Sequence, residues 1–222
     1  MFRVRISGPL AIFTRPELKV ERISYPVITP SAARGCLEAV FWKPAIAWRI
    51  HRISVLNPVH WMPIRRNEVS RRQIAPSESI ISDGGRAPSQ FADEDRAQRN
   101  TIALRDVAYE IEASFEMTKR AGPGEKPQKF VEMFSRRLEK GQHFHQPYLG
   151  CRECIADVEP AEADCEPIAE DRDLGLMLYD IDFSRPARRP LFYHAVMKQG
   201  VIEVPSMSQV RSQVARNKEV SR

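Results

Sequence analysis

With 222 residues, 42% of them apolar and 28% charged, the chain suits one large or two small globular domains and shows no internal repeat. Nowhere do eighteen uncharged apolar residues run together, which excludes a membrane-spanning helix, and four unevenly placed cysteines exclude a disulfide framework. The setting expected is a reducing cytoplasm, and the net charge of +5 favours polyanions without establishing contact with one.

Phe2, Val4 and Ile6 alternate with Arg3, Arg5 and Ser7 as far as Gly8-Pro9, which predicts a first strand with one face inward. Thr29 before Pro30 reads as an N-cap ahead of an N1 proline. Ala33, Leu37, Val40 and Phe41 then recur at helical spacing until Lys43-Pro44. Residues 45–56 are rich in β-branched and aromatic residues and predict a strand with Ile46, Trp48 and Ile50 on one side. Residues 63–100 have no sustained period and are expected to form long loops with room for a short hairpin. The clearest strand covers 101–117, where Val107, Tyr109, Ile111, Ala113 and Phe115 alternate with polar residues. A second helix is predicted from Pro127 to Lys140, with Phe130, Phe134 and Leu138 in one stripe and Gly141 as its stop. A strand around 148–158 closes this unit.

The order β, α, β, inserted loops, β, α, β predicts an α+β fold of the split βαβ, ferredoxin-like (RRM-like) kind, with both helices on one face of an antiparallel sheet. That domain is expected over 1–160, with the insertion at about 63–100. Residues 161–222 are expected to form a small antiparallel β-sheet domain from "DLGLMLYDIDF", "RPLFYHAVM" and "GVIEV". The polar, basic tail from Ser206 is expected to be mobile.

His143, His145, Cys151, Cys154 and Cys165 lie close together, and "CREC" is a CxxC. A structural zinc normally takes two paired ligand knuckles. Here one pair stands alone and Cys165 falls in an acidic loop, so no metal is expected. His51, His60 and His194 lie in strand-like surroundings, where a structural histidine is the commoner case, whereas His143 and His145 fall in a polar loop after a helix. There is no P-loop, GxGxxG, HExxH or GxSxG motif, so the corresponding chemistries have no warrant and no cofactor is expected. What remains is basic: Arg15, Lys19 and Arg22 after the first strand, Arg65, Arg66, Arg71 and Arg72 after the second, and Arg136 and Arg137 in the second helix. Such clusters either grip RNA phosphates or solvate a surface, and the pattern alone leaves both open.

Four blocks in order, "FTRPELKVERISYPVITPSAARG" (13–35), "WKPAI" (42–46), "RRNEV" (65–69) and "PYLGCREC" (147–154), resemble the CRISPR type I-C (Dvulg subtype) repeat-processing endoribonucleases of the RAMP superfamily. The likeness continues through "PLFYHAVMKQGVI" and covers nearly the whole chain. It implies a ferredoxin-like amino-terminal domain and a small carboxy-terminal β-sheet. It also implies an RNA-binding endonuclease that cuts precursor crRNA at the base of the repeat hairpin without metal, then stays as a subunit of the type I-C interference complex. The implied partners are the repeat hairpin and the other subunits; duplex DNA is left open, and no membrane is involved.

In relatives, the residue before "WKP" is a tyrosine or histidine used in catalysis, and a lysine-histidine pair opens the second helix. Here those positions hold Phe41 and Lys129-Phe130. Metal-free RNA cleavage needs a base for the 2′-hydroxyl proton, an acid for the departing 5′-oxygen and a cation beside the phosphorane. Lys129 supplies only the cation. His143 and His145, just past the same helix, are the candidate imidazoles, against a bland reading in which they cap the helix and face water. The competing function is a non-catalytic subunit that holds the crRNA 5′ handle.

Overall fold

The alternation of Phe2, Val4 and Ile6 builds β1 (Phe2–Ala11) in the computed structural model, which describes residues 1–18, 20–72, 74–84, 89–163, 165–182 and 189–220, with 214–220 as backbone only. In chain order follow β2 (Arg22–Ile23), α1 (Pro30–Val40), β3 (Ile46–Val55), β4 (His60–Val69), α2 (Glu78–Ser82) and β5 (Arg96–Met117). Then come α3 (Pro127–Glu139), β6 (Asp157–Pro160), β7 (Arg172–Asp182), β8 (Arg189–Lys198), β9 (Val201–Glu203) and α4 (Met207–Val220). The architecture is mixed α/β, with a large, mainly antiparallel sheet and few helices.

The sheet runs β6-β1-β5-β3-β9-β8-β7, with β2 and β4 paired to β5 off this path. Val4 lies opposite Ile111, Ile53 opposite the same residue on the other side, and Trp48 opposite Phe115, so the apolar positions of three strands share one face. The boundary expected near residue 160 falls within this continuous sheet, because β9 pairs with β3 on one side and β8 on the other. The tight turn between β8 and β9 uses Gln199 and Gly200, with φ of 47° and 72°.

The helices form for the reasons their caps suggest. Thr29 Oγ1 accepts from the Ala32 N–H at 3.3 Å, Pro30 opens α1, and the helix stops where Phe41 turns extended. α3 likewise opens on a proline and ends before Gly141, whose φ of 60° favours glycine. Phe130, Phe134 and Leu138 are buried. The Phe134 ring lies 4.6 Å from Trp48 and 4.8 Å from Phe2, which fastens α3 to β3 and β1.

Residues 63–100 combine strand and irregular chain: β4 and the first half of β5 make an antiparallel arm, with His60 opposite Arg105 and Val69 opposite Arg96, and between Val69 and Arg96 the short α2 is the one regular element among the described residues. Much of this arm is exposed on both sides, so its sequence carries no apolar alternation. The carboxy-terminal tail is helical rather than unstructured: Val210 of α4 is fully buried, and α4 packs against β8.

Candidate nucleic-acid interface

The face of the sheet turned away from the helices is paved with ion pairs. Arg3 makes a two-pronged contact with Glu110 at 3.0 and 2.8 Å. Arg5 meets Glu159, Arg49 meets Glu116, and Arg52 bridges Glu112 and Glu203. The register explains it, since these residues occupy the outward positions of neighbouring strands. Among these paired residues carboxylates outnumber guanidiniums by one, so the paving offers no positive field.

The β4–β5 arm carries the densest run of arginines, but much of its charge is internally answered. Arg66 and Glu68, two apart on one strand, share a face and pair with each other. Arg66 also lies 3.8 Å from Glu153, and Arg22 lies 3.5 Å from Glu68. The Arg66 hydrogen bond, outweighing partial desolvation, holds the Glu68 carboxyl below the usual carboxylate range. Arg71 approaches Asp95 at 4.0 Å. Arg65 and Arg72 are exposed and make no ion pair among the described residues. Arg15 sits over the Tyr25 ring at 4.9 Å and pairs loosely with Glu17. Lys19, an expected RNA contact, lies outside the described residues.

The two ends of α3 hold the remaining candidates. At the amino-terminal end the ring of Phe41 lies 6.2 Å from that of Phe130, and Lys129 Nζ lies 5.9 Å from the Phe130 centroid. The three positions singled out by resemblance thus come together in space, and both phenylalanines are buried with no proton to exchange. Lys129 itself is exposed. His143 and His145 lie beyond the other end. The loop that carries them folds back onto α1, where the Phe144 and His145 N–H groups reach Ala39 O at 2.8 and 3.4 Å.

That carboxy-terminal end borders a cavity of about 420 Å³ lined by Glu38, Trp42, Lys43, Pro44, Arg137, Phe144 and His145. Arg137 anchors it: its Nη1 donates to Val40 O at 2.8 Å, and its guanidinium stacks 5.2 Å from the Phe41 centroid. The loop is held by the Phe144 N–H, which donates to Ala39 O at 2.8 Å. Among the described residues, Lys43, Arg136 and Arg137 make no ion pair with a carboxylate. Sequence reasoning missed Trp42, Lys43 and Phe144. The available signal was that Trp42 and Phe144 are large aromatics outside every apolar stripe, beside charged neighbours.

Several thiols and remaining histidines have partners within the fold. Cys36 and Cys154 are buried, which pushes their thiols up to about 12 and about 11. The CREC turn is held by the Cys154 N–H donating to Cys151 O and docks through Gly150 (φ 84°), where a Cβ would collide with Ile12 O. Among the described residues no group of three or more His, Cys, Asp or Glu side chains is placed to hold a metal ion. His51 Nε2 meets Ser114 Oγ at 2.6 Å, and His194 Nε2 meets Asp173 at 2.8 Å.

Exposed aromatics set among unpaired cations on a rigid α/β scaffold are the means by which proteins hold unpaired nucleic acid. Residues 1–205 match the family described as CRISPR-associated protein (Cas_Cas5), and the chain belongs to it. It is 48% identical over 216 residues to a Mannheimia succiniciproducens protein named CRISPR pre-crRNA endoribonuclease Cas5d, covering 91% of this chain and 94% of that one. A Thermus thermophilus protein of the same name is 40% identical over 222 residues, covering 92% of this chain and 91% of that one. A solved structure described as a CRISPR-associated protein shares the fold, with a TM-score of 0.68 and 24% identity over 94% of this chain and 93% of that one.

Proposed function

We propose that the chain is a metal-independent pre-crRNA endoribonuclease that binds the repeat hairpin, cuts it, and stays with the product as a subunit of the type I-C interference complex in the cytoplasm. The observation that carries this reading is 48% and 40% identity, over 91% and 92% of this chain, to relatives named CRISPR pre-crRNA endoribonucleases. The order β6-β1-β5-β3 with α1 and α3 on one face supports the ferredoxin-like plan.

RNA phosphates meet Arg65, Arg71 and Arg72 on the arm and Arg136 and Arg137 at the end of α3, with Arg15, Arg22 and Arg66 contributing through residual charge. Proton transfer falls to His143 and His145, where Arg137 and Lys43 supply the cation beside the reacting phosphate. Lys129 steadies the RNA backbone at the other end of α3. A second reading is favoured by the burial of Phe41 and Phe130: a subunit that holds the 5′ handle without cutting. Incubating the protein with end-labelled repeat RNA in EDTA separates the two. Cutting at one position supports the enzyme, whereas tight binding with intact RNA supports the scaffold and overturns the cleavage assignment.

A further inference from the structure

We propose that the cavity at the carboxy-terminal ends of α1 and α3 is a nucleobase pocket, holding one unpaired base of the RNA against Trp42 and Phe144. This rests on the RNA-processing reading above and adds to it the point at which a single nucleotide is seized.

The aromatic exposure is the first observation. Phe41, Trp48, Phe130 and Phe134 are at most 2% exposed, yet Trp42 is 52% and Phe144 80% exposed, and both line the same cavity. Exposed apolar area of this size forgoes burial that neighbouring aromatics obtain, and a ligand with two flat faces would recover it. The volume of about 420 Å³ falls in the range of about 300–1,000 Å³ usual for small-ligand sites.

The walls are held before anything binds. Phe41, next to Trp42, is fixed by its N–H to Leu37 O and by the Trp48 indole donating to its carbonyl at 3.0 Å. Phe144 is tied to Ala39, and its ring meets the His145 ring edge-on at 5.8 Å. A preformed slot of this kind spends little ordering entropy on its ligand.

The charge around the slot selects the ligand class. Lys43 and Arg137 flank it, ready for the phosphates on either side of a captured base. Glu38 lies on the wall and pairs with Arg34 Nη1 at 2.7 Å, and Arg34 is shared with Asp180 at 2.8 Å, so this trio keeps one net negative charge against the two cations Lys43 and Arg137. A paired base has both faces covered by its stacked neighbours, so the occupant is an unpaired nucleotide beside the hairpin. His145 lines both this cavity and a second one of about 480 Å³ that contains Thr14, Ser31 and Tyr148. A strand leaving the slot thus passes the imidazole and enters a groove of mixed polar and apolar lining, with Phe13, Leu178 and Ile181 beside those hydroxyls.

The test uses repeat-hairpin RNAs carrying one abasic nucleotide each, scanned through the single-stranded flanks, with affinity measured for the full-length protein, for Trp42→Ala/Phe144→Ala and for Trp42→Phe. One abasic position should weaken binding to the unaltered protein by roughly 5- to 100-fold, the range for loss of a base stack. The double variant should bind intact RNA that much more weakly and be indifferent to the abasic position, while Trp42→Phe keeps most of the affinity. Both replaced side chains are exposed, so an unchanged thermal midpoint verifies folding. Wild-type affinity in the double variant, or indifference to every abasic position in a protein that still binds and cuts the repeat, overturns the pocket alone. A wild-type protein that binds no repeat RNA overturns the pocket and the RNA-processing reading together.

Discussion

The two ends of α3 divide what a ribonuclease site needs. At the amino-terminal end, Phe41, Phe130 and Lys129 cluster where relatives are expected to keep proton-transfer groups, but two of the three are buried hydrocarbon rings. At the carboxy-terminal end, His145 shares a cavity with Lys43 and Arg137, and the aromatic walls are open to solvent. The difference teaches that a position inherited in the fold and a reactive group in the right place are separate things. Packing has claimed the first end, because a phenylalanine pair fills the space beside Phe115 better than a polar ring would. At the second end, Lys43 and Arg137 make no ion pair with a carboxylate among the described residues.

The comparison sharpens first through charge reversal. Lys43→Glu with Arg136→Glu should lower repeat affinity roughly 10- to 100-fold at moderate salt and reduce the log–log salt slope by about 1.4 to 1.8, two contacts at about 0.7–0.9 each. Arg65→Glu with Arg72→Glu, on the arm, should flatten the slope by about one to two units with a smaller loss of affinity. Equal losses from both pairs would erase the distinction between crevice and arm. Phe130→His is the next test. It places a polar ring in a packed aromatic site and should cost about 1–3 kcal/mol in a denaturant titration, with no gain in cutting. A faster cut in that variant would return the chemistry to the amino-terminal end of α3.

The smallest effect belongs to the arm, away from both ends. The Glu68 carboxyl titrates lower in the folded protein than unfolded, through its Arg66 hydrogen bond. The pair's stabilisation is therefore present above the unfolded carboxylate pKa of about 4.3 and is lost as pH falls through the folded value. Both side chains are partly solvated, so Glu68→Gln should cost under about 1 kcal/mol at pH 7, with the gap to wild type closing in acid. A gap that widens in acid would show that the pair does not set this dependence.

Sequence periodicity was enough to place α1 and α3, since each begins with a proline and buries a single stripe, and to place β5 from Thr101 onward, where one face is buried. It failed at β4 and at the first residues of β5, which hydrogen-bond to each other but bury little, so no alternation was imposed on them. It failed at α4 because the contact made by Val210 comes from another part of the chain. The arginine run was legible as charge, and so was Glu68 two residues after Arg66, whereas the further contacts with Glu153 and Asp95 depend on how distant parts of the chain fold back onto the arm. Trp42 and Phe144 line one cavity at the α1 end for the same reason: it is made by tertiary packing, and neither residue has a local pattern that announces it.

Single-turnover cutting of the repeat hairpin in EDTA, with His143→Ala/His145→Ala measured beside Lys129→Ala, tests the central claim most directly. The double histidine variant should lose about 10²- to 10⁴-fold in rate, while its affinity for the RNA stays within a few-fold of wild type. Lys129→Ala should lose less in rate and more in affinity. Wild-type cutting by the double histidine variant, with cutting abolished in Lys129→Ala, would contradict the account and place the reaction at the amino-terminal end of α3.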